Sequence, residues 1–140
     1  MKVVYYHPRH LAASFIAAYL HANMNDALID MAKTGEILKG FRRDRPFILY
    51  FGRGKKGEEV YMLNGDCAEG VIRRTINNLM SASGGNPADL LLVNPLPGWQ
   101  ILLQFAEASG IPRIEEAAYR GCLAEIKATV ERSFLRLQTW

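Results

Sequence analysis

The chain is 140 residues long with 49% apolar and 22% charged residues, which excludes a disordered polymer and suits one folded core, a single domain over residues 1–140. Its longest strongly apolar stretch, Leu11 to Ala22, is interrupted by Ser14 and His21 and is shorter than the roughly 20 residues of a bilayer crossing, so no membrane partner is expected. The net charge of +3 hides an asymmetry, because seven cations stand against Asp44 alone between Lys39 and Lys56, a local +6 that leaves the rest of the chain at −3.

The sequence enters strand-like residues at once, without a long apolar leader or a cleavage site, so residence in the cytoplasm is expected. Lys2 to His7 carries Val3, Val4, Tyr5 and Tyr6, an unbroken run that suits a strand covered on both faces. Pro8 stops it, and Leu11 to Ala22 follows as an alanine-rich helix able to pack closely on a sheet. Asn25 can cap a short helix from Asp26 to Lys33, and Thr34 can cap another turn ending at Gly40. Phe47 to Phe51 and Glu59 to Leu63 are short apolar runs around the turn Gly52-Arg53-Gly54-Lys55-Lys56-Gly57, the pattern of an antiparallel hairpin. Asp66 and Glu69 have capping-box spacing before a helix reaching about Ala82. Leu90 to Val93, between turn signals, reads as a buried parallel strand, and Gly98 to Ser109 as a helix stopped by Gly110. In the last thirty residues Tyr119, Cys122, Leu123, Ile126, Val130, Phe134 and Leu137 fit one long helix, but Gly121 would cost about 1 kcal/mol inside it. The preferred reading splits the segment into a strand near Glu116 to Arg120 and a helix from Cys122. The assembled expectation is an α/β fold: a three-layer sandwich around a mixed, mostly parallel sheet with one β-hairpin, its parallel strands at Val3 and Leu91.

The opening, from Tyr5 through His7-Pro8-Arg9-His10 to His21, resembles a family of small bacterial proteins catalogued as a domain of unknown function. Members of that family open with a strand, a loop containing Cys and Gly, a His-Ser-Ser step and an alanine-rich helix. Ser14, Ala17, Ala18 and His21 match that pattern without gaps, and Gly57 to Leu63 resembles the family's hairpin segment. In place of the loop Cys, the two Gly, the His and the first Ser stand His7, Arg9, His10, Ala12 and Ala13, so the residues of any thiol or glycine-loop chemistry are replaced here. The resemblance implies the α/β fold and the split near Gly121, and assigns no reaction.

In open α/β sheets ligands bind beyond the carboxyl ends of the strands, where helix N-termini point at a crevice. That rule nominates the loops His7 to His10 and Asn94 to Gly98. His7, Arg9 and His10 place two imidazoles and a guanidinium where strand feeds helix. Ser14 lies one turn into that helix, and Asn94 ends a strand that would face the same crevice. Arg9 with the helix N-terminus could hold a phosphate or carboxylate; each of the other side chains also has a purely structural role open to it, in loop or helix hydrogen bonds. No metal is expected, since two histidines lack a third ligand nearby, and no cofactor is identified. Cys67 and Cys122 are too few for a disulfide framework and read as inert reduced thiols. The basic stretch reads as a solvated face, with Phe47, Tyr50 and Phe51 needed for the core, so nucleic acid is not the expected partner. No Ser-His-Asp order, P-loop or dinucleotide fingerprint occurs, so whether the protein is an enzyme stays open. The expected function is binding of a small anionic ligand at His7, Arg9, His10, Ser14 and Asn94. The alternatives are self-association or docking as an interaction module, and weak polyanion contact through the basic hairpin.

Overall fold

A computed structural model describes residues 1–8, 11–23, 48–63, 68–95, 105–106 and 108–137. Its elements are β1 (Lys2–Tyr6), α1 (Leu11–Ala22), β2 (Ile48–Arg53), β3 (Glu59–Leu63), α2 (Glu69–Ala82), a 3-10 turn (Pro87–Asp89), β4 (Leu90–Val93) and α3 (Pro112–Arg136). The expected helices between Asn25 and Gly40 lie outside the described residues, as does most of the one from Gly98. The sheet order is β2-β3-β1-β4. β1 runs parallel to both neighbours, in register Val3↔Val60 and Val3↔Leu91, while β2 and β3 form the antiparallel hairpin. The fold is therefore α/β with a mixed, mostly parallel sheet, and β3 joins β4 as a parallel neighbour of β1.

Strand alternation sorts the core into two layers. Val3, Tyr5, Val60, Met62 and Val93 face one side, where they pack with Phe15, Ile16, Ala17 and Ala18 of α1 and Cys122, Ile126 and Val130 of α3. Val4, Tyr6 and Leu63 face the other side and pack with Ile72 and Ile76 of α2. The alanines of α1 explain its closeness to the sheet, since a helix bearing larger side chains there would stand further off. α2 does not begin on a capping box. Its N-cap is Ala68, with no side-chain cap hydrogen bond, and Glu69 in the first turn pairs with Arg73 at 3.1 Å; Asp66 lies outside the described residues.

The split near Gly121 is overturned, because α3 runs unbroken from Pro112 to Arg136. Gly121 is on the exposed side, and a Cβ there would meet nothing within 4 Å. Its helix cost of about 1 kcal/mol is smaller than the roughly 1.5–3 kcal/mol that each large apolar side chain contributes on burial. Cys122, Ile126 and Val130 recur every four residues on the buried stripe.

Candidate functional site

β1 is the inner strand between two parallel neighbours, and its exit is where the connections diverge. The chain leaving β1 enters α1 on one face of the sheet. The chain leaving β3, its neighbour through the pair Tyr6↔Leu63, enters α2 on the opposite face. Helices leaving neighbouring parallel strands for opposite faces make a topological switch point at the carboxyl rim between β1 and β3. On β1's other side Tyr5 pairs with Val93, so Asn94 follows flush with Tyr6 on a strand about 4.8 Å away. The loops after β1 and β4 therefore leave adjacent strands at one rim.

His7 is buried, as is Pro95 after Asn94, and both His7 and Asn94 are engaged in interactions of their own. Ser14 sits one turn into α1 with 0% exposure, and its Oγ is the one buried side-chain oxygen without a hydrogen-bond partner among the described residues. The two helix N-termini at the rim differ. α2 begins with Glu69, which the Tyr6 hydroxyl and Arg73 hold below the usual carboxylate range, so its positive end is already answered by a carboxylate. α1 has no acidic residue in its first turn. Arg9 and His10 lie outside the described residues; of the five nominated side chains His7 and Asn94 follow the adjacent strands β1 and β4, and Ser14 lies one turn into α1. Among the described residues no cluster of three or more His, Cys, Asp and Glu could hold a metal ion.

A second polar cluster, not foreseen from the sequence, lies at the opposite, amino end of the parallel strands. The Tyr5 hydroxyl is 2.7 Å from His21 Nδ1, and His21 Nε2 is 2.7 Å from Glu58 Oε1. The Lys56 amide donates to Glu58 Oε2 at 2.9 Å. His21 is 0% and Glu58 3% exposed, and the Phe134 ring lies 4.3 Å from the imidazole. Burial holds His21 below the usual histidine range despite Glu58. Burial alone would raise Glu58, but the bonds from His21 and the backbone draw it below the usual carboxylate range. The network is therefore directional: an ionised Glu58 only accepts, so neutral His21 donates to it from Nε2–H, and the Tyr5 hydroxyl donates to His21 Nδ1. Burial also pushes the Tyr5 phenol far up, which keeps it a donor. Gly54 is required here, because a Cβ would collide with the Glu58 carboxylate and come within 3.0 Å of His21 Cδ2. With both partners buried, the cluster fastens the hairpin tip to α1, β1 and α3. Ser14 and His21 share the buried stripe of α1 with Ala17 and Ala18, about 10 Å apart along the axis.

Cys122 is a buried free thiol whose pKa burial and Glu125 push up to about 11, so near neutral pH it is held as the thiol; Cys67 lies outside the described residues. No helix among the described residues is long and apolar enough to cross a membrane. A family model described as Protein of unknown function (DUF3189) matches residues 2–109, from β1 past the end of β4 and short of α3. No curated protein and no solved structure matches the chain.

Proposed function

Since the chain belongs to the DUF3189 family of unknown function, whose description carries no reaction, we propose from geometry that it is a cytoplasmic protein binding a small phosphate- or carboxylate-bearing ligand at the carboxyl rim. The observation that carries this reading is the Ser14 Oγ, buried and without a hydrogen-bond partner among the described residues, in α1, whose first turn holds no acidic residue. A buried hydroxyl without a partner costs about 1–3 kcal/mol, and a ligand oxygen at the helix end would supply that partner along with the helix dipole. Arg9, two residues before α1 in sequence, would furnish the counter-charge; His7 and Asn94 would line the sides.

A thermal-shift series with inorganic phosphate, a nucleoside monophosphate and citrate tests it. A ligand at about a hundred times its Kd adds about 2.7 kcal/mol, several degrees in Tm. The expected result is a shift of that size with one of the three, absent in Arg9→Ala and reduced in Ser14→Ala. Failure of all three to move the wild-type Tm refutes the reading.

A further inference from the structure

The α2 face of the sheet is covered unevenly. α2 packs over β1 and over side chains of β3 and β4, and among the described residues no β2 residue joins that layer. On β2, Leu49 and Phe51 turn to the α1 side. Ile48 and Tyr50 turn the other way and remain 46% and 51% exposed, so Tyr50 is not the core residue that its place in a strand suggested. Tyr50 lies opposite Tyr61, with ring centroids 5.2 Å apart and planes inclined at 49°.

Charge is gathered on the same strip by a local irregularity. In a regular strand residues 50 and 53 point to opposite faces. Here the register shifts between Tyr50 and Gly52, where Gly52 adopts φ 138°, so that Arg53 stands opposite Glu59, on the face that carries Tyr61. Lys2 completes the group, with Nζ 5.3 Å from the Tyr61 ring centroid and in a salt bridge to Glu59. Lys55 and Lys56 project from the exposed turn beyond. Lys2, Arg53, Lys55 and Lys56 outnumber Glu58 and Glu59, and Glu58 is withdrawn into the buried network.

We propose that this uncovered strip of β2 and β3 binds single-stranded nucleic acid, with a base stacked on the free face of Tyr50 and successive phosphates on Arg53, Lys55 and Lys56. The chemistry selects this partner. An exposed ring on the edge strand β2 offers a stacking face, which an acidic peptide does not use and a duplex cannot reach with its paired bases. The row of cations beside it follows a backbone of repeating negative charge.

Fluorescence anisotropy of a labelled oligothymidylate with the full chain tests the proposal. Binding that weakens with salt is expected. Tyr50→Thr keeps a strand-forming residue but removes the ring, and should weaken binding about fivefold or more, while Tyr50→Phe retains it. Lys55→Glu with Lys56→Glu should flatten the salt dependence by about 0.7 in log–log slope for each contact removed. Absence of binding at low salt overturns the proposal. So does equal affinity of wild type and Tyr50→Thr, or polyglutamate bound as tightly as the oligonucleotide, since either would leave charge as the whole of the attraction.

Discussion

Replacing Glu58 with alanine isolates the contribution of the buried network. The change removes the acceptor of the His21 Nε2–H and of the Lys56 amide. The amide belongs to an exposed turn and can bind water, so its loss costs little. His21 is 0% exposed and has no such recourse. If it keeps its tautomer, Nε2–H is left without an acceptor; if the proton moves to Nδ1 to face Tyr5, Nε2 becomes a bare acceptor. Either state leaves one buried polar atom unpaired, at about 1–3 kcal/mol, and the space vacated by the side chain adds to it. The expected destabilisation is about 2–4 kcal/mol, read as a lower urea midpoint by circular dichroism at unchanged slope. Adding His21→Leu should recover part of the loss, since removing both partners abolishes the unpaired group. The neighbouring Glu59→Ala is the control: its partner Lys2 sits at the surface, and the midpoint should barely move. A Glu58→Ala midpoint within about 0.5 kcal/mol of wild type would refute the directional network.

The same network sets an acid limit on stability. His21 and Glu58 both have folded pKa values below their ordinary 6.5 and 4.5, so the unfolded chain binds each proton more readily. The stability they contribute is fully present above pH 6.5 and is lost as pH falls, first through His21 and then, below 4.5, through Glu58. Urea midpoints across this range should decline by no more than about 1.4 kcal/mol per pH unit for each group, and His21→Leu should remove the upper part of the decline. Gly54→Ala should destabilise by about 1–3 kcal/mol, because the added methyl forces the Glu58 carboxylate from its place; a neutral result in thermal denaturation would mean that the hairpin tip does not depend on that fit. Gly121→Ala should raise stability by up to about 1 kcal/mol, as in any exposed helix interior; a loss would restore the break that the sequence suggests there.

What could be read from the sequence was local. β1, α1 and the hairpin followed from runs of β-branched and aromatic residues between turn signals, and α1 begins and ends at the expected residues. The continuity of α3 is not legible locally, because the penalty of Gly121 is visible residue by residue, whereas the burial of Ile126 and Val130 depends on which face of the helix meets the sheet. The parallel pairing of β1 with β3, which creates the switch point, joins segments far apart in the chain and leaves no local signal. Tyr50 reads as a core residue in the sequence because propensity does not report which side of a strand a neighbour covers. His21 did carry a signal, being polar on a stripe otherwise made of Ser14, Ala17 and Ala18, a placement that requires a buried partner. The identity of that partner, 37 positions away in Glu58, could come only from the folded chain.

The rim site is tested most directly by amide spectra of the isotope-labelled protein titrated in turn with inorganic phosphate, a nucleoside monophosphate and citrate. Saturable movement of the His7, Ser14 and Asn94 signals, with Ile126 in α3 unmoved, is the predicted result. Saturation elsewhere that leaves Ser14 and Asn94 in place, or no saturable change at all, would contradict the assignment of an anion to the end of α1.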